Sequence, residues 1–222
     1  MKRYYLFFGA IWILVLCNSC SSFRTIKPDS IAVVKEIDIP KSSAKIAQFA
    51  THTYVDYRLD SDSDWYRVEV THPKSGVRTV KLKEDAVHEK IRWNERVRIL
   101  SQTNGQKHSN LIRDIRIFAK SYDDSVYRSY PGPNSNTFIE KMTREVDGLS
   151  AQLDHNAIGK EIGFHFGKTS GGTGIELQTP VLGVAVGLKE GVELNVIGLS
   201  AGLSFWPPSL RVPFLPRIPT WE

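Results

Sequence analysis

Over residues 45–83 apolar and polar positions alternate with period two. "AQFATHTYVDYRL" and "DWYRVEVTH" are rich in Thr, Tyr and Val and are separated by the turn "DSDSD"; "VRTVKLK" follows the turn "HPKSG". Such alternation of β-branched and aromatic residues predicts a strand meander. An earlier extended segment, "SIAVVKEI", lies at the end of a tether. "EDAVHEKIRWNERVRIL" fits neither period, and helix or irregular structure is open there. Over residues 110–122 the period changes. Leu111, Ile115, Phe118 and Ala119 recur at helical spacing, and Ile112 widens the stripe. A second helix is predicted over "TFIEKMTREVDGL". Phe138, Ile139, Met142 and Val146 mark one face, Thr137 and Glu140 have capping-box spacing, and Gly148 is a stop.

After Ala157 the chain becomes Gly- and Val-rich. "SGGTGIELQTPVLGVAVGLKEGVELNVIGLSAGLSF" alternates between "TP" and "KEG" turns and predicts two to four antiparallel strands. Their apolar face is expected to be buried in the same core as the helices. The strands are too few for a transmembrane β-barrel. "WPPSLRVPFLPRIPTWE" should wrap the surface in extended form. The predicted class is α+β: an antiparallel sheet, two or more central helices and a C-terminal Gly-rich β segment. Its predicted division is a signal peptide over 1–19, a tether over 20–40 and a single domain over 41–222.

The N-terminus sets the expected location. Lys2 and Arg3 precede the apolar run "YYLFFGAIWILVLC", which is too short for a membrane span of about 20 residues but suits a secretory signal. "NSC" then resembles a lipobox, with Cys20 as the lipid-bearing residue. By resemblance to the sorting rule of such lipoproteins, Ser21 after the cysteine favours the outer membrane over the inner. Cys17 and Cys20 are the 2 cysteines of the chain. Once the first leaves with the signal and the second carries lipid, no free thiol remains for a disulfide, a nucleophile or a metal. The net charge of +5 is scattered among acids, so no basic stripe points to nucleic acid.

Candidate chemistry is sparse. His72, His88, His108, His155 and His165 are spread singly, so neither a metal site nor a cofactor is expected. "SGGTG" lacks the following Lys-Ser/Thr pair of a phosphate loop. The stretch "PGPNSNTF" has two readings. Asn134, Ser135, Asn136 and Thr137 all suit a helix N-cap. Alternatively, Ser135 is a nucleophile at a helix N-terminus, with His52 in a strand as its base.

"HTY", "YPGPNSNTFIEKM", "NAIGKEIG", "SGGTGIELQT" and "GVAVGLKEGVELNVIGL" occur in the order found in the bacterial family called domain of unknown function 3750. The resemblance runs from about Ala47 to Pro216, and it implies no established activity. The layout also resembles, more distantly, circularly permuted papain-like proteins of the lecithin retinol acyltransferase-like and NlpC-type groups. That likeness implies a His in an early strand, here His52, and a Cys opening a later helix, where this chain has Ser135. Glu69 or His72 would orient the imidazole. Two functional readings follow. One is a non-catalytic envelope lipoprotein whose papain-like cleft binds a cell-wall or lipid fragment, or another protein. The other is a serine-variant hydrolase or acyltransferase using Ser135 and His52, assisted by Asn134 or Asn136.

Overall fold

The segment SIAVVKEID forms β1 (Ser30–Asp38), and all of it except Asp38 is buried. A strand covered on both faces belongs inside a sheet. β1 pairs antiparallel with β2 (Thr51–Arg58) on one side and with β6 (Glu95–Asn104) on the other. With β3 (Trp65–Val70), β4 (Val77–Lys81) and β5 (Ile91–Arg92) the order is β4-β3-β2-β1-β6-β5. The span 20–40 read as a tether therefore contains a central strand, and the connecting chain ends near residue 29. The computed structural model describes residues 25–40, 49–59, 64–71, 76–83, 86–105 and 110–219. The signal segment and Cys20 lie outside them.

Register assigns each side chain to a face. Val34 opposes Val55, and Val55 opposes Val68. These valines pack beneath two helices, α1 (Leu111–Ser121) and α2 (Ser135–Glu145), both close to the predicted spans. Phe138 of α2 lies 5.6 Å from Phe118 and 4.9 Å from Tyr122, between ring centroids. The core is thus one sheet face against the apolar stripes of two helices.

The other face of this sheet is polar and still buried. Lys35 opposes Tyr54, and Asp56 opposes Arg67. It is covered by the stretch whose period was ambiguous. That stretch forms a short 3-10 turn (Ala86–His88) and the β5–β6 hairpin. Trp93 and Asn94 make the hairpin turn at φ of 54° and 66°. A two-residue turn requires this left-handed backbone, which a bulky Trp adopts only with strain. The strained residue is held with its ring 5.2 Å from His52.

Six strands form the C-terminal region: β7 (His165–Lys168), β8 (Gly174–Gln178), β9 (Leu182–Gly187), β10 (Gly191–Val196), β11 (Leu199–Phe205) and β12 (Pro208–Arg211). The Gly- and Val-rich stretch supplies four of them, β8–β11, within the two to four predicted there, and β7 and β12 flank it. All six pair consecutively in a meander curled into a half-barrel. Part of the proline-rich tail is thereby a strand.

The expected orientation is reversed. Glu176, Gln178, Glu193, Asn195 and Arg211 point inward and are buried, while Ile175, Leu177, Val184, Val192, Leu194 and Leu203 are exposed. The inward positions are otherwise mostly Gly, Ala and Ser, which lets the sheet curl tightly around α2 and the 154–161 loop. At Gly191, with φ +70°, an added Cβ would overlap the Leu203 carbonyl. Among the described residues, the contiguous apolar core runs from Ile31 to Ala157 and takes nothing from β7–β12.

Candidate functional site

Three of the quoted motifs meet at the N-terminus of α2. Asn134 is the N-cap, and its side-chain oxygen accepts from the Asn136 and Thr137 backbone N–H groups at 2.9 and 3.3 Å. Its own N–H donates to Thr137 Oγ1 at 3.0 Å. The capping box is therefore Asn134 with Thr137, not Thr137 with Glu140. Asn134 Nδ2 donates to the carbonyls of Ser129 and Ile158. Asn136 Nδ2 donates to those of Thr51 and Ile158, and its oxygen accepts from Thr53 Oγ1 at 3.0 Å. Thr137 Oγ1 donates to the Gly159 carbonyl. "HTY", "PGPNSNTF" and "NAIG" thus form one buried knot of side chain to main chain bonds, and each side chain satisfies groups that would otherwise be unpaired.

Asn134→Ala removes the cap and takes a donor from the carbonyls of Ser129 and Ile158, of which Ile158 keeps Asn136. Its expected cost is at least about 2 kcal/mol, the top of the range for a lost cap. Ser135→Ala is expected to change stability by no more than about 0.5 kcal/mol. Urea unfolding of the two variants separates them.

His52 lies on the polar face of the first sheet. Because side chains alternate along β2, Thr51 and Thr53 project toward α2 and His52 projects away from it. Ser135 and His52 stand on opposite faces of the sheet, and no hydrogen bond joins them among the described residues. His52 Nε2 lies 3.0 Å from Glu69 Oε2. Arg92 grips the same carboxylate with two bonds, at 3.0 and 2.9 Å. Burial opposes ionisation of Glu69, but the hydrogen bonds from His52 and Arg92 outweigh it and hold the carboxyl at about 2. Burial lowers the pKa of His52, against the opposing pull of Glu69. Of the two residues expected to orient the imidazole, Glu69 does so; His72 lies outside the described residues.

The same face carries a second set of charges that sequence reasoning missed. Asp56 accepts from Lys35 Nζ at 2.7 Å and from Arg67 at 2.7 and 3.0 Å. Arg67 also pairs with Glu89 at 2.9 Å. Lys35 Nζ donates to the Val87 carbonyl as well. Between the two sets lies the Tyr54 ring, with Arg67 4.3 Å and Arg92 4.7 Å from its centroid. The available signal was the phase of the alternation: Lys35, Tyr54, Asp56, Arg67 and Glu69 all fall on the side opposite Val34, Val55 and Val68, although Val33 and Ile37 share that polar side.

An open groove of about 550 Å³ lies between the edge of the first sheet and α1. Tyr57, Tyr66 and Tyr122 line it together with Arg116 and Lys120. The Tyr57 and Tyr66 rings are stacked, 5.8 Å apart and 24° from parallel. Burial, aided by Asp123 and Asp124, pushes the Tyr122 hydroxyl up to about 12. It is therefore a neutral donor at physiological pH.

The half-barrel interior is also ionic. Lys160 Nζ meets Glu193 at 2.6 Å, and Arg211 meets the other Glu193 oxygen at 2.8 Å. Arg144 of α2 pairs with Glu140 at 3.0 Å and with Glu176. Burial pushes Glu176 up to about 7 against the Arg144 charge, and the Glu140 charge adds to the rise. Glu140, Glu161 and Glu176 offer oxygens within 4.8 Å of one another, a spacing that could hold a metal ion. Arg144 and Lys160 already supply positive charge to that cluster.

Among the described residues, no helix is long and apolar enough to cross a membrane. No curated protein matches the chain, and no solved structure does. The family described as Protein of unknown function (DUF3750) matches residues 34–162. That range covers more than half of the chain, contains the three motifs of the knot, and stops just before β7. The chain belongs to that family of proteins of unknown function.

Proposed function

We propose that this protein is a non-catalytic lipoprotein of the bacterial cell envelope, tethered through Cys20, that binds a cell-wall fragment in the groove beside α1. The observation that carries the reading is the groove itself. Half-buried Tyr66, backed by the buried Tyr57 ring stacked on it, offers an aromatic face for a sugar ring, and Arg116 and Lys120 offer charge for the carboxylates of an attached peptide. The hydrolase reading has less support, because His52 and Ser135 face opposite sides of a sheet and a base must reach the proton it takes.

Calorimetric titration with a soluble disaccharide-peptide of peptidoglycan is the test. Saturable binding is expected, and Tyr66→Ala and Arg116→Ala should each weaken it about tenfold or more, equivalent to about 1.4 kcal/mol. Ser135→Ala and His52→Ala should leave affinity unchanged. Hydrolysis of the ligand that both of these substitutions abolish would replace the binding reading with the enzymatic one.

A further inference from the structure

The geometry points to the outer surface of the half-barrel as a lipid-facing surface, seated in one leaflet of the membrane that carries the anchor. This inference rests on the lipoprotein reading and adds to it a second contact with the bilayer. Along β7–β12 the outward positions include Phe166, Ile175, Leu182, Val184, Leu194 and Leu203, and among them Lys168 alone is charged. Phe166 is 78% exposed, Leu188 at the β9–β10 turn 76% and Trp206 at the β11–β12 turn 73%. Apolar outside with polar inside inverts the order of a soluble sheet and matches strands that face hydrocarbon.

Three arguments select a bilayer over a second copy or another protein. First, the outer surface of a curled sheet is convex. Two such surfaces from identical chains would touch along a line, whereas fluid hydrocarbon conforms to the curve. Second, a protein interface normally carries about one hydrogen bond per 100–200 Å², and these outward side chains offer almost no donors or acceptors. Third, the leash is short. The ten or so residues from Cys20 to Ser30 reach at most about 35 Å, so the domain is held against the lipid at high effective concentration.

Orientation follows from strand length and from the sheet edges. Strands of 4 to 7 residues are about 13–23 Å long, too short to cross the roughly 30 Å hydrocarbon core upright, and upright strands would place both sheet edges in hydrocarbon. The strands therefore lie along the bilayer plane, and the convex crest of the sheet enters one leaflet. Among the described residues no strand pairs with the outer side of β7, and β12 is bridged on its outer side at Leu210 by Ile218, so these edges are less completely covered by strand pairing than hydrocarbon requires. They belong at headgroup level, where Lys168 on β7 meets lipid phosphate, and β9–β11 lie deepest.

The test uses the full chain, matured in cells and reconstituted into vesicles of phosphatidylethanolamine and phosphatidylglycerol. A polarity-sensitive fluorophore is attached at Leu194→Cys, at Val184→Cys as a second site on the face, and at Arg113→Cys on exposed α1 as control. Each labelled chain is accepted only with the parent's thermal transition. Acyl-chain nitroxide lipids should quench the Leu194 and Val184 probes at least threefold more than the Arg113 probe. Equal quenching at all three sites, with the anchor present by mass, overturns the lipid face and leaves the lipoprotein reading standing. A probe that is blue-shifted without lipid and unquenched with it overturns the inference in favour of self-association. If the N-terminal acyl mass is missing, the lipoprotein reading fails. Quenching of Leu194 by vesicles added to that unacylated chain would then sustain the lipid face alone, and no quenching would sink it as well.

Discussion

Asp56→Ala is expected to destabilise the protein by about 3–5 kcal/mol in guanidinium unfolding, the range for removing one partner of a buried ion pair. Asp56 is fully buried and accepts from both Lys35 and Arg67. Its loss leaves two cations on one enclosed sheet face. Burial already lowers the pKa of Lys35 against the pull of Asp56, so in the variant the lysine should shed its proton, and Arg67 cannot. Glu89 offers Arg67 partial relief at 2.9 Å. Asp56→Asn keeps the shape without the charge and should lose nearly as much. Adding Lys35→Met to Asp56→Ala should recover part of the loss, because one orphaned charge disappears. A loss under about 1 kcal/mol for Asp56→Ala would mean that water enters beneath the 86–95 segment and solvates the pair.

The elements of the core were legible because periodicity reports burial. Phe118, Phe138 and Met142 sit on helix faces at the spacing that their sequence shows, and the meander appears as alternation. Four of the C-terminal strands, β8–β11, were legible as alternation too, but alternation is blind to sign. It says that two faces differ, not which one meets solvent. The deciding facts were the small inward residues and the ionic partners offered by α2 and the 154–161 loop, and those partners are distant in sequence. The same blindness applies to His52. Its place in a strand was readable, whereas the side of the sheet it faces depends on which neighbours, Thr51 and Thr53, bond to Asn136 and the main chain. Order and spacing bring Ser135 and His52 near one another in a papain-like layout, but a one-residue change of phase turns a strand residue to the opposite face. The imidazole's partner was legible only as a choice between Glu69 and His72; the strand pairing, which sets Glu69 on the same face as His52, decides for Glu69.

Glu193→Ala is the second large expected effect, and it tests how the two sheets are joined. Glu193, Lys160 and Arg211 are all buried, and the one carboxylate holds both cations at 2.6 and 2.8 Å. Lys160 keeps a weaker neighbour in Glu161 at 3.7 Å, so the loss should lie near the low end for a broken buried pair, about 3 kcal/mol. Where it is felt matters more. The apolar core draws on residues 31–157 and, among the described residues, on nothing from β7–β12, and the half-barrel meets α2 and the 154–161 loop through ions and hydrogen bonds such as Arg144 with Glu176 and the Gly159 N–H with the Gly198 carbonyl. A polar joint of this kind lets one unit open without exposing apolar surface in the other. Native-state hydrogen exchange of Glu193→Ala should therefore show lost protection across β8–β12, with β1–β3 still exchanging as in the parent. Equal loss in both sheets would show that they unfold as one cooperative body, and the polar joint would then be as stabilising as a shared core.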